Sequence, residues 1–204
     1  MIAVVDYGVG NLYSLSRSLD ALGLQNVVTR EESELRAAEK IILPGVGAFG
    51  DAMEKLAATG LAPVVVERAS AGVPLLGICL GMQLLFEKGF EYGERGGLGL
   101  LHGEVRALAD DLPDGLKVPH IGWNALNIRK KCPILKYVRE GDCVYYVHSF
   151  YAKNCEDETA ATSEYGVPVP GVVQRGSVYG TQFHPEKSGR VGLSILKAFG
   201  EVSA

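Results

Sequence analysis

A cysteine set between two glycines and, far downstream, a histidine two residues before a glutamate are the groups in this 204-residue sequence whose types and spacing could do chemistry. The first lies in Gly77-Ile78-Cys79-Leu80-Gly81-Met82-Gln83, the second in Thr181-Gln182-Phe183-His184-Pro185-Glu186-Lys187-Ser188. Cys79 follows the apolar run Pro74 to Ile78 and precedes a helical pattern, and the small residues around it suit a tight strand-to-helix turn. Such an elbow exposes the sulfur at the carboxyl end of a sheet, where a helix N-terminus offers unpaired N–H groups and partial positive charge. Both effects favour the thiolate, which is the nucleophile. A thiolate that attacks an acyl carbon needs a base to hold protons and return them to the leaving group. His184 has the intrinsic pKa for that work, and Glu186 can orient it. In an extended segment the two side chains project to the same side, and Pro185 discourages helix between them. A buried cysteine is ordinarily a small hydrophobe, and a histidine at a strand end is ordinarily a surface or satisfied core residue. That plain reading stands for Cys132, Cys143 and Cys155, and for His102, His120 and His148; the contexts of Cys79 and His184 set them apart.

The elements that would position these groups alternate in the first half of the chain. Ile2 to Val5 reads as a buried strand, and Leu12, Leu15, Leu19 and Leu22 recur at helical spacing up to Gly23. Val27 to Thr29 is a second strand, Ser33 is placed to cap a short charged helix, and Ile41 to Leu43 is a third strand entering Pro44-Gly45-Val46-Gly47. Helix is expected from Asp51, a fourth strand over Pro74 to Ile78, and helix again over Met82 to Phe86. This alternation predicts a parallel sheet covered on both faces. The second half is β-rich at Gly103 to Leu108, Ile121 to Ile128, Val144 to Tyr151, Thr159 to Glu164 and Val169 to Phe183, with some strands antiparallel. A helix over Ser188 to Val202 closes it. No repeat or linker divides the chain, so residues 1–204 are expected to form a single α/β domain with an antiparallel extension.

Bulk properties exclude several functions. Hydrophobic residues at 47% and charged residues at 22% fit a globular domain rather than a disordered or fibrous chain. A net charge of -4 gives no basic field for a phosphate backbone, so nucleic acid is not expected as a ligand. No segment approaches the ~20 apolar residues that span a bilayer, and no charged leader precedes the first strand, so no membrane role is expected and the protein should be cytosolic. The four cysteines form no C-x-x-C pair and no zinc spacing, so neither a metal nor a cofactor is expected.

The elbow G-x-C-x-G-x-Q and the late F-H-P-E resemble the class I, triad-type glutamine amidotransferases, and the likeness runs along essentially the whole chain. Within that family, Asp6-Tyr7-Gly8-Val9-Gly10-Asn11, Leu43-Pro44-Gly45-Val46-Gly47-Ala48-Phe49, His120-Ile121-Gly122-Trp123-Asn124 and Tyr146-Val147-His148-Ser149-Phe150-Tyr151 are similar to the glutaminase subunits of imidazole glycerol phosphate synthases of histidine biosynthesis. The resemblance implies a flavodoxin-like fold and hydrolysis of the glutamine side-chain amide, with Cys79 as nucleophile, His184 as general base and acid, and Glu186 orienting the imidazole. It implies an oxyanion hole from the backbone of Leu80 and of Val46 or Gly47. Glutamine contacts would come from Gly45, Gly47, Gln83, Glu91, Ser149 and Phe150. It also implies delivery of ammonia to a (β/α)8-barrel cyclase in a heterodimer, docked on a face that includes Asn11, Trp123 and Lys187.

Three other readings remain open on sequence alone. A γ-glutamyl peptidase would reuse the elbow but would need neither Gln83 nor a partner. A catalytically silent binding subunit would be expected to lack Cys79, His184 or Glu186. The amidotransferase component of anthranilate or aminodeoxychorismate synthase has a similar late motif, against which the Asp6 to Asn11 opening and the Phe49 loop argue.

Overall fold

The computed structural model of the protein describes residues 1–203. In chain order it consists of β1 (Ile2–Val5), α1 (Leu12–Ala21), β2 (Asn26–Thr29), α2 (Glu32–Ala37), β3 (Lys40–Gly45), α3 (Phe49–Ala58), α4 (Leu61–Ser70), β4 (Leu75–Cys79), α5 (Leu80–Leu84), β5 (Phe86–Gly89), β6 (Arg95–Gly96) and β7 (Leu101–Ala107). The β-rich half follows with β8 (His120–Ala125), β9 (Asn127–Ile128), β10 (Cys143–His148), β11 (Phe150–Lys153), β12 (Thr159–Glu164), β13 (Pro168–Arg175) and β14 (Val178–Thr181), and α6 (Gly189–Glu201) closes the chain.

The main sheet has the order β2-β1-β3-β4-β14-β13-β12-β9. Its first five strands run parallel, and β13, β12 and β9 alternate in direction beyond β14. The parallel part is wound as in flavodoxin-like folds, in which ligands bind beyond the carboxyl ends of the strands. Alternation along β1 explains how both faces are filled. Ala3 and Val5 pack with Ile41, Leu43, Phe49 and Val65 on one side, and Ile2 and Val4 pack with Leu15, Leu19, Ile42, Ile195 and Phe199 on the other. A separate sheet, β11-β7-β5-β6, and the ribbon β10-β8 make up the extension.

Several elements depart from the sequence reading. Ser33 does not cap α2; it lies inside a helix that starts at Glu32, because the Glu31 N–H is already turned onto Thr29 Oγ1 at 2.9 Å. The helix after the elbow is the short α5 rather than Met82 to Phe86. The carbonyls of Leu84 and Leu85 accept from Leu98 and Leu100 at 2.8 Å each, which draws the chain out of helix and into β5. The expected strand Val144 to Tyr151 is two strands in different sheets, broken at Ser149, where His148 Nδ1 reaches forward to the Phe150 carbonyl at 2.9 Å. The segment Ile121 to Ile128 is likewise divided at Leu126, whose N–H and carbonyl both pair with the 141–142 turn.

Close backbone packing fixes the elbow. A Cβ added at Gly81 would stand 1.9 Å from the Leu43 carbonyl oxygen, and one at Gly77 would stand 2.6 Å from Met82 Cα. Gly81→Ala is therefore expected to destabilise the fold by about 1–3 kcal/mol, since the β3 backbone must move to admit a methyl group. Chemical denaturation would measure this, and a change below ~0.5 kcal/mol, the size of an ordinary surface substitution, would contradict the packing argument.

Candidate active site

Strand register brings the two chemistry-bearing segments together. β4 lies between β3 and β14, with Gly45 opposite Cys79 and Thr181 opposite Ile78. Gly45, Cys79 and Gln182 thus stand side by side at the carboxyl end of the parallel strands. Cys79 turns from β4 into α5 with φ 54 and ψ -113, a backbone conformation that costs a non-glycine residue of order 1–3 kcal/mol. A strained turn held between the glycines at 77 and 81 is the elbow expected from the sequence. Cys79 is almost enclosed, at 7% exposure, and Gln182 Nε2 lies 3.9 Å from its sulfur.

His184 follows β14 by three residues and is buried, at 3% exposure. Its backbone is pinned to β10: its N–H donates to the Tyr145 carbonyl at 3.1 Å, and its own carbonyl accepts from Ser188 Oγ at 2.6 Å. The chain then makes a single 3-10 turn over Pro185–Lys187 instead of continuing extended. The turn, not a strand, folds Glu186 back so that His184 Nδ1 donates to Glu186 Oε1 at 2.9 Å. This hydrogen bond fixes the tautomer and leaves Nε2 as the other face of the ring. Burial alone would pull the imidazole pKa down. Its interactions with Cys79 and then Glu186 more than offset that and push it up to about 9. A protonated imidazole beside a sulfur can stabilise a thiolate and then supply a proton to a leaving amine.

The structure places the other sequence-predicted residues as follows. Leu80 opens α5, where its N–H has no intrahelical partner by position. Gly45 is wedged, because a Cβ there would meet Gly81 N at 2.6 Å and Tyr7 Oη at 2.8 Å. Val46 is 42% exposed, and a Cβ built on Gly47, which stands at φ +99, would meet nothing within 4 Å. Gln83 is buried, and its amide donates to the Phe150 carbonyl at 2.9 Å and to Gln182 Oε1 at 3.0 Å. The Ser149 carbonyl accepts from the Leu108 N–H at 2.9 Å. Glu91 Oε2 accepts from the Phe49 N–H at 2.8 Å, so it sits at the start of α3 beside the glycine-rich loop. Asn11 caps α1 through its Oδ1, which accepts from the Ser14 N–H at 3.4 Å, and shares a small space with Gly45, His184 and Glu186. Trp123 is 57% exposed on β8, edge-on to Tyr145, and Lys187 is exposed beside the buried His184–Glu186 pair.

The sequence reading assigns no role to two further residues of the site. Gln182 reaches it only because β14 pairs with β4 in this register, which the sequence does not display. Tyr7 donates from Oη to the Pro44 carbonyl at 2.7 Å and props the loop after β3. An aromatic residue after the first strand was the only sign of it.

The sequence model of the family described as glutamine amidotransferase class-I matches residues 3–201. The chain is 48% identical over 203 residues to the imidazole glycerol phosphate synthase subunit HisH of Listeria monocytogenes serovar 1/2a, covering 100% of this chain and 96% of that protein. It is 52% identical over 202 residues to the subunit of the same name in Bacillus licheniformis, covering 98% and 95%. Among solved structures, a glutamine amidotransferase superposes with a TM-score of 0.75 at 20% identity, over 98% of this chain and 100% of that one. PurLQS from Thermotoga maritima superposes with a TM-score of 0.73 at 21% identity, over 97% and 96%. At these identities the two structures speak for the fold alone.

Proposed function

The chain belongs to the class-I glutamine amidotransferases, and we propose that within that family it is the glutaminase subunit of an imidazole glycerol phosphate synthase, acting as one domain with the triad Cys79, His184 and Glu186. The observation that carries the proposal is the meeting of a strained, nearly enclosed cysteine with a buried His–Glu pair at the carboxyl end of the parallel strands. Near 50% identity over the full length of the subunits named above supports the assignment of the synthase.

The chemistry follows from the residues. The Cys79 thiolate attacks the side-chain carboxamide carbon of glutamine, and the carbonyl electrons move onto oxygen. The N–H of Leu80 and an N–H of the Val46–Gly47 loop receive that oxyanion, each donor being worth about 3–4 kcal/mol in comparable enzymes. Protonated His184 gives its proton to the departing nitrogen, which leaves as ammonia with a thioester behind. His184, now neutral, draws a proton from water, which attacks the thioester. Glutamate leaves and the thiolate and imidazolium are restored. Glu186 holds the ring throughout. Gly45, Gly47, Gln83, Glu91, Ser149 and Phe150 frame the substrate, Gln83 by holding the Phe150 carbonyl in place rather than by offering a free amide.

Ammonia made in an open site would be lost to water, so a cyclase, which we take to be a (β/α)8 barrel, caps it. The docking face we assign to it includes Asn11, Trp123 and Lys187, and exposed Ile121, two residues from Trp123 on β8, supports that face. No helix among the described residues is long and apolar enough to cross a membrane.

A glutamine analogue carrying a diazo-ketone at the side-chain carbon is expected to alkylate Cys79 and to spare Cys132, Cys143 and Cys155. Burial pushes the thiols of Cys132 and Cys155 up to about 11, which keeps them protonated at pH 7. Cys143 is exposed but lies outside the site. Mass spectrometry of the labelled peptides decides, and a label on any other cysteine would refute the assignment of the substrate pocket.

A further inference from the structure

The ribbon β8–β10 sets His120 directly opposite His148, and both are buried. Two imidazoles in contact inside a protein require every proton to be placed, and here the partners place them. A backbone carbonyl only accepts, so His148 Nδ1, 2.9 Å from the Phe150 oxygen, carries a hydrogen. The Nε2 of that neutral ring has a lone pair, and His120 Nδ1, 2.9 Å away, donates to it. His120 Nε2 then accepts from Asn124 Nδ2 at 3.3 Å, and that amide also donates to the Glu164 carbonyl at 2.9 Å. Burial holds both rings down at about 4, so both are neutral at pH 7 and the direction of donation is single.

The Phe150 carbonyl is where this chain of donors reaches the active site. It accepts a second hydrogen bond from Gln83 Nε2 at 2.9 Å; the same amide donates to Gln182 Oε1 at 3.0 Å, and Gln182 Nε2 faces the Cys79 sulfur at 3.9 Å. One end of the series therefore lies in the strand that bears Trp123, and the other at the nucleophile. The His120 ring is clamped between Tyr165 at 3.9 Å and Tyr146 at 4.8 Å, nearly parallel to both, so it cannot turn without disturbing them. An apolar pair would hold β8 to β10 without the cost of burying polar rings, and that cost is offset only where every ring nitrogen is satisfied.

We propose that His120 and His148 are positioning residues for glutamine hydrolysis: with Asn124 they fix the Phe150 carbonyl, and through it the amides of Gln83 and Gln182 beside Cys79. The inference rests on the glutaminase reading. It concerns residues that do not touch the reacting atoms, and its effect falls on how glutamine is held.

The test is steady-state kinetics of the complex with the cyclase, driven in parallel by glutamine and by added ammonia, with thermal melting of each variant. His148→Leu removes the donor to Phe150 and is expected to raise KM for glutamine about tenfold with a smaller change in kcat, because it loosens the bound substrate rather than the oxyanion. His148→Asn presents Nδ2 where Nδ1 stood and should bring KM back to within about threefold of the unaltered complex. Ammonia-driven synthesis, which is the partner's chemistry, should not change in either. His120→Phe keeps the stacking and removes the donor, and should raise KM by several-fold; it decides the matter if His148→Leu does not fold. Equal KM in the Leu and Asn variants, or losses that follow melting temperature rather than the donor, would make the histidines core packing and overturn the proposal. If the unaltered complex used ammonia but not glutamine, the glutaminase reading would fall and take this inference with it.

Discussion

Replacing Cys79 by alanine or serine is expected to abolish glutamine-dependent synthesis by the complex while synthesis from added ammonia continues at the unaltered level. The expectation follows from the proposed division of labour, in which this chain makes ammonia and the cyclase consumes it, so removal of the sulfur stops supply without touching use. The loss should be of the order of 10⁶ in kcat, the size seen when a triad nucleophile is deleted elsewhere, and losing His184 or Glu186 as well should add little, because all three act through one sulfur. A fully additive triple variant would count against a triad, and loss of the ammonia-driven reaction would show that the cysteine is structural. The same substitution has a signature in His184. Burial pulls its pKa down and Cys79 is the first of the partners that pull it up to about 9. A folded-state value raised above 6.5 means that the charged ring contributes stability that is fully present below 6.5 and is lost as pH rises through about 9. Without the sulfur the His184 pKa should fall, and NMR titration of the ring in Cys79→Ala reads that directly. An unmoved pKa would separate His184 from Cys79.

The elbow and the His–Glu pair were legible because each is local. Gly77 and Gly81 announce a close backbone approach, and the structure shows what they approach: the Leu43 carbonyl and the start of the helix. Hydrophobic runs likewise marked β1, β3 and β4, since strands buried on both faces must be apolar throughout. Features set by pairing between distant segments were not legible. Gln182 stands beside the sulfur through the register of β14 on β4, and the break at Ser149 depends on which sheet each half of Val144 to Tyr151 joins. His184 and Glu186 were expected to meet along a strand. They meet across a 3-10 turn because the backbone of His184 is already held by Tyr145 and Ser188, and Pro185 starts the turn there. His120 and His148 read in the sequence as ordinary surface or satisfied core histidines, since nothing in their spacing reveals that two opposed strands bring them to 2.9 Å.

The isolated chain is expected to be a poor glutaminase whose turnover rises by about 10²–10³ when the cyclase and its ligand bind, the change that one oxyanion donor makes. The loop after β3 supplies the means. Gly45 is locked, with Gly81 N and Tyr7 Oη close to where a Cβ would be, whereas Gly47 is at φ +99 and a Cβ built there would meet nothing within 4 Å. The switch expected here is a turn of the peptide between Val46 and Gly47, which would carry its N–H toward or away from the oxyanion while Gly45 holds the strand end still. Because the oxyanion exists only after attack, such a switch acts on the transition state and leaves the binding of glutamine nearly unchanged. Activation should therefore appear in kcat, with a smaller effect on KM. Lys187, exposed at the end of the turn that carries Glu186, is where the partner would press on this arrangement. Lys187→Ala should lower the activated rate more than the basal one, narrowing the ratio between complex and isolated chain. Initial rates of glutamate formation, measured with and without cyclase and cyclase ligand, decide the point. An isolated chain as fast as its complex, or an activation confined to KM, would show that this loop is not the switch.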